Sequence, residues 1–220
     1  MTRFAIAALA TFGIVLAAGP GARAQNRSCS TTMTGTVIHG NLEVPAGATC
    51  ILNDVAVAGN ISVGTGGVLR IFTGSQIGGN IEANKCGFVE LTGNQISVGG
   101  NLACEGNTYG CVVNGGEVLG NVSLSNNPSY AQISKIAIKG NLSIDRNSSN
   151  LPGAIVALVA DNTIGGNVDV IGNRGPGNMI VGANVIQGNL QCQDNTPGVG
   201  NDNIALNTVA GNKLGQCAGL

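Results

Sequence analysis

The sequence contains no tryptophan and one histidine, and Asp, Glu, Lys and Arg together make up only 10% of its 220 residues. With a single imidazole, His39 is the only candidate base of that type. Its place beside a chain corner predicts an exposed side chain without a catalytic role. The formal net charge is −1 and no basic run occurs, which argues against nucleic acid or an anionic membrane surface as partner. Aromatic residues are 3% of the chain. A globular core normally draws on large rings, so the interior expected here is thin and filled by Val, Ile and Leu. No Cys-x-x-Cys pair is present, which leaves no zinc-type spacing. Nothing matches a nucleophile elbow, a phosphate-binding loop, a zincin helix or a dinucleotide fingerprint. Gly-rich stretches such as Gly64-Thr65-Gly66-Gly67 precede no helical pattern. No catalytic residue, metal or cofactor is therefore assigned.

The one long apolar run is N-terminal. Arg3 precedes Phe4 to Ala18, and Gly19-Pro20-Gly21 leads to Ala22-Arg23-Ala24, a small-x-small cleavage site. This reads as a secretory signal peptide over 1–24, cut before Gln25, followed by a single domain over 25–220. The run is too short for a comfortable membrane span, and none is expected after processing. Loss of Arg3 and Arg23 lowers the basic count from 10 to 8 against 11 acids, a net charge of −3 with His39 neutral. Removal of Phe4 and Phe12 leaves Phe72, Phe88, Tyr109 and Tyr130 as the only rings besides His39.

What the chain has in abundance is Gly-Asn. The pair occurs at Gly40, Gly59, Gly79, Gly100, Gly120, Gly140, Gly166, Gly188 and Gly211, at spacings of 19, 20, 21, 20, 20, 26, 22 and 23 residues. Aligned on that Gly, an aliphatic residue lies two before it every time, from Ile38 and Val57 to Val209. Further columns lie two after it (Leu42, Ile61, Ile81, Leu102) and four after it (Val44, Val63, Ala83, Cys104). Polar residues such as Glu43, Ser62, Glu82 and Asp169 stand between them. This is the period-2 alternation of strands with one buried face. Another aliphatic run, such as Ile51-Leu52 and Ile71-Phe72, sits seven or eight residues before the Gly. Each repeat thus holds about three short strands, rich in β-branched residues. The fold expected is an all-β, single-domain parallel β-helix of about nine coils of roughly 20 residues. At about 4.8 Å per coil it makes a rod of about 40–45 Å.

Gly and Asn tolerate left-handed backbone, which suggests that conformation at the Gly-Asn corner. Stacked Asn amides can also hydrogen-bond from coil to coil. A second Asn column appears seven after the Gly, at Asn107, Asn127, Asn147, Asn173 and Asn195, and both columns read as structural.

All seven cysteines lie beyond the export segment, where disulfides are the default. Cys29 and Cys50 are 21 apart and Cys192 and Cys217 are 25 apart, close to one coil, which suits a staple at each end of the rod. Cys86, Cys104 and Cys111 remain, with Cys104 in an inward column as a candidate buried thiol.

Two surfaces are candidates for function. Outward carboxylates Glu43, Glu82 and Asp169 share one column, and two coils separate Glu43 from Glu82, roughly 10 Å. That spacing would suit an inverting carbohydrate-active enzyme, but no aromatic sugar platform accompanies it. The second surface is made where the repeat lengthens, after Asn107, Asn127, Asn147 (through Gly153), Asn173 and Asn195 (through Asp202). Loops in one phase line one edge of a solenoid and often form its binding face. Tyr109, Tyr130, Asp145, Arg146, Arg174, Asp194 and Asp202 gather there as binding candidates.

The stretch Gly188-Asn-Leu-Gln-Cys-Gln-Asp-Asn-Thr-Pro, with Val209-Ala-Gly-Asn-Lys-Leu-Gly-Gln-Cys217, resembles the end of a group of secreted bacterial proteins that carry Gly-Asn repeats throughout. The resemblance implies an exported bacterial β-solenoid and brings no catalytic residues. Likeness to pectate-lyase-like β-helices is at fold level only, and fold does not fix function. The function expected is a non-enzymatic structural or adhesive module at the envelope or outside the cell. Its expected partner is a cell-wall or extracellular glycan or a surface protein, and the alternative function is a polysaccharide lyase or hydrolase.

Overall fold

The computed structural model describes residues 25–150 and 155–220, so the expected signal peptide over 1–24 lies outside the described residues, as do residues 151–154. All the strands described stack in parallel into three sheets that wrap one core. The first sheet has ten strands, from Arg27–Ser28 to Lys213–Gly215, each following a corner Asn. The second has nine, from Thr32–Thr34 to Val199–Gly200. The third has nine strands of two residues, from Val37–Ile38 to Thr208–Val209. Each strand pairs with its counterpart one coil away, so the chain is a parallel β-solenoid of about nine turns, as the aliphatic columns require.

The register follows the columns read from the sequence. Leu42 stands beside Ile61, Ile61 beside Ile81, and Ile81 beside Leu102, all fully buried. Alternate residues face out, as in the buried–exposed–buried pattern of Leu42–Val44 and Ile61–Val63. Each buried Val, Leu or Ile contributes about 1.5–3 kcal/mol relative to exposure. The core is one continuous file of such side chains from Cys29 to Cys217. Disulfides close both ends, Cys29–Cys50 with Cα atoms 5.4 Å apart and Cys192–Cys217 with 5.2 Å. Cys86, Cys104 and Cys111 are buried free thiols.

The Gly-Asn corner works differently from the expectation of left-handed backbone. None of its nine glycines or their asparagines has positive φ. Glycine is required there because no room exists for a Cβ. On Gly120 it would fall 2.5 Å from Asn101 Oδ1 and 2.7 Å from the Gly100 carbonyl oxygen. Asn101 Oδ1 is held there because it accepts the backbone N–H of Asn121 at 2.8 Å. The same bond recurs from the Asn41 N–H, which donates to Asn26, up to the Asn212 N–H, which donates to Asn189. Asn26, preceded by Gln25 rather than Gly, is the start of this ladder.

Left-handed residues occupy the other two corners. One file is Lys85, Gly106, Asn126, Arg146, Gly172 and Asp194, and each precedes a member of the second column, Cys86, Asn107, Asn127, Asn147, Asn173 and Asn195. That column is buried. The Asn147 side chain accepts the Asn127 backbone N–H at 3.0 Å and its Nδ2–H at 2.8 Å. It donates to the Leu124 carbonyl at 2.8 Å and to Asn173 Oδ1 at 3.0 Å. Gln216 caps the file by accepting from Asn195 backbone N–H and Nδ2 and donating to its carbonyl. At the foot, Asn107 Oδ1 accepts the Cys86 N–H, and Asn107 Nδ2 is the one buried side-chain N or O atom without a partner among the described residues. A third ladder, Asn162–Asn184–Asn207, stands at the remaining corner with the same bonds.

Asn147→Ala strands the Asn127 N–H and the Leu124 carbonyl in a dry interior, each worth about 1–3 kcal/mol when unsatisfied. Urea unfolding should show a loss of about 3 kcal/mol. Asn141→Ala, in the exposed ladder where water can substitute, should lose about 1 kcal/mol or less. Equal losses would show that burial of the ladder is irrelevant to its strength.

Candidate functional site

The outward column of the first sheet is as expected, Glu43, Ser62, Glu82, Ala103, Ser123, Ser143, Asp169 and Gln191 in register. No two of its carboxylates stand on adjacent coils. Glu43 and Glu82 are parted by Ser62, and Asp169 stands between Ser143 and Gln191. Burial raises the pKa of the Asp169 carboxyl. A raised carboxyl is the property a general acid needs, but the neighbours in its column supply no second carboxylate. His39 is exposed, as expected.

The loop edge is more ordered than a row of insertions. Left-handed backbone at Arg146 (φ 51°) and Asp194 (φ 55°) ends the strands Leu142–Asp145 and Leu190–Gln193 and turns both charged side chains outward at one corner. Beyond it, Ser148, Arg174 and Thr196 pair as parallel bridges on successive coils. The Arg174 N–H donates to the Asn147 carbonyl at 2.9 Å, and the Ser149 N–H donates to the Arg174 carbonyl at 3.1 Å. The buried Asn ladder lies directly beneath.

These elements enclose a shallow notch of about 450 Å³ lined by Asp145, Arg146, Asn147, Ser148, Ile171, Gly172, Arg174 and Asp194. Four of the seven residues singled out on the sequence therefore meet in one place. Arg146 pairs with Asp145 at 2.7 Å. Arg174 and Asp194, both exposed, form no ion pair among the described residues. The notch thus presents a guanidinium and a carboxylate with their charges uncommitted.

The other three candidates lie elsewhere. Tyr130 packs edge-on against Phe88, with ring centroids 6.4 Å apart and planes at 76°. Arg70 covers that Phe88 ring at 5.8 Å and reaches Glu90 at 3.6 Å. Tyr130 is thus part of an aromatic and ionic cluster on the second sheet. Tyr109 is 63% exposed and does not line the notch. Asp202 lines a separate depression of about 210 Å³ with Asn178, Met179, Ile180, Pro197, Gly198 and Gly200. Among the described residues no group of three or more His, Cys, Asp or Glu could hold a metal ion, and no helix is long and apolar enough to cross a membrane. Comparison of the chain with protein-family models, with curated proteins and with solved structures finds no match.

The raised Asp169 carboxyl has a sign that can be checked. The folded chain holds that proton more tightly than the unfolded chain, so stability falls as pH rises through the carboxylate range. Asp169→Asn should raise the urea midpoint at pH 7, and the gain should vanish at about pH 3, where both states are protonated. A gain of equal size at both pH values would remove ionisation as its cause.

Proposed function

We propose that the chain is an exported bacterial β-solenoid, related to the secreted Gly-Asn-repeat proteins it resembles, that acts as a non-enzymatic binding module. Its ligand is a carboxylate-bearing cell-wall or extracellular glycan, held at the notch on the loop edge. The observation that carries this reading is the uncommitted guanidinium of Arg174, on a residue whose main chain is bridged to the coils on either side. A guanidinium binds a carboxylate through two parallel hydrogen bonds, while Asp194 and Ser148 in the same notch can accept or exchange hydrogen bonds with sugar hydroxyls. A notch on a rigid rod loses little entropy on binding, which favours recognition over a polymer surface. Export is supported by the signal-like segment over 1–24 and by the two disulfides at the rod's ends. The intact mass of the exported chain checks it, because processing should leave Gln25 first.

Co-sedimentation of the exported chain with insoluble peptidoglycan and with uronate-rich polysaccharide tests the reading. Arg174→Ala should weaken binding at least tenfold, since a hydrogen bond to a charged group is worth about 1.5–3 kcal/mol. Asp194→Asn, which removes a charge of the ligand's own sign, should strengthen it. Unchanged affinity in Arg174→Ala with an unchanged unfolding midpoint would sink this role for the notch.

A further inference from the structure

We propose that Cys104 and Cys111 close a third disulfide, inside the rod, when the chain folds in an oxidising compartment. The inference rests on the export reading above.

The register places these residues in two columns that the structure already bridges elsewhere. Ser28 stands beside Glu43, so Cys29 stands beside Val44, and the same inward column continues through Val63, Ala83, Cys104, Leu124, Ile144 and Val170 to Cys192. In the second sheet Cys50 stands beside Leu69, Leu69 beside Val89 and Val89 beside Cys111. Cys29 and Cys50 join these two columns from one coil to the next, with Cα atoms 5.4 Å apart, inside the range a disulfide spans. Cys104 and Cys111 occupy the same two columns within a single coil, on the strands Leu102–Glu105 and Cys111–Asn114, and their side chains are within hydrogen-bond reach of each other. Cysteine thus enters the first-sheet column on its first, fifth and ninth strands, and both terminal members are already bonded.

The chemistry of the interior agrees. Both side chains are fully buried and face the core. Burial, then hydrogen bonding and the charge of the Cys111 side chain, hold the Cys104 thiol well above its ordinary pKa. Burial, and after it the neighbouring Cys104 side chain, pushes Cys86 up to about 12. Cys86 belongs to neither column but neighbours Cys104; it sits at the foot of the buried Asn ladder, where its N–H is taken by Asn107, and it is the rival partner that the test separates. Thiols that are sealed and protonated are inert, so the bond forms before the core closes. The oxidant is a disulfide, such as an oxidised low-molecular-weight thiol. Each cysteine gives up its proton, one S–S bond forms in the chain, and the oxidant's S–S bond is reduced to two thiols.

The test uses the full chain, reduced and denatured, then refolded in a mixture of oxidised and reduced glutathione. Remaining thiols are alkylated in denaturant, and a Glu-specific protease cuts after Glu82, Glu90, Glu105 and Glu117. These cuts separate Cys86, Cys104 and Cys111 into fragments 83–90, 91–105 and 106–117. Mass spectrometry without reductant should show 91–105 joined to 106–117 and alkylation confined to 83–90. In Cys104→Ser, Cys111 should become alkylated. Alkylation of both Cys104 and Cys111, or Cys86 joined to either, overturns the proposal. If Cys29 and Cys50 are joined in that same digest, the failure belongs to this bridge and not to oxidative export.

Discussion

The structure depends on hydrogen bonds between amides stacked one coil apart in a place water does not reach. A solenoid's sheets alone do not fix its corners, because few turn groups find a partner within their own coil. From Asn107 onward, a buried Asn at the corner between the first and second sheets ties each turn to its neighbours. Its oxygen takes a backbone N–H and its nitrogen serves a carbonyl of the coil beneath. A missing member would leave several groups unsatisfied at once, so the ladder keeps its register from coil to coil even where the repeat lengthens. The 26-residue spacing is the clearest case. The extra residues follow Asn147, and the ladder passes through that coil with the Asn147 N–H on Asn173 Oδ1 at 2.9 Å.

The exposed Gly-Asn ladder runs with the opposite polarity, each side-chain oxygen accepting from the coil above. This explains the fixed pairing of the two residue types. The asparagine of one coil needs the space that a Cβ on the next coil's glycine would fill. The dipeptide is therefore a contact between neighbours about 20 residues apart, and its local conformation is ordinary.

Much of this was legible in the sequence, because solenoid columns repeat in register. The aliphatic positions around each Gly-Asn, the outward file from Glu43 to Asp169 and both terminal disulfides follow from alignment on one glycine. Three things were not legible from local residue preferences. The reason for the glycine is steric and lies in another coil. The Asn162–Asn184–Asn207 ladder is visible as a column four residues before the glycine, but Val55, Ile96 and Gly116 hold that position in earlier coils and hide it. Of the site, Asp145, Arg146, Arg174 and Asp194 follow from loop phase alone. Phase does not say which ring a side chain packs against, so the edge-on contact of Tyr130 with Phe88 is not visible in the sequence. The link between scaffold and site is that Arg146 and Asp194 each directly precede a ladder Asn, so the notch takes its rigidity from the amides below it.

Hydrogen exchange of the corner amides tests the central claim most directly. The backbone N–H groups of Asn107, Asn127, Asn147 and Asn173 lie outside every strand yet donate to the next side chain in the ladder. They should exchange as slowly as those of Val113 and Ile133 in the second sheet, opening only with the whole fold. Exchange orders of magnitude faster than those strand amides would mean that the corners open locally and that the stacked amides do not hold the coils in register.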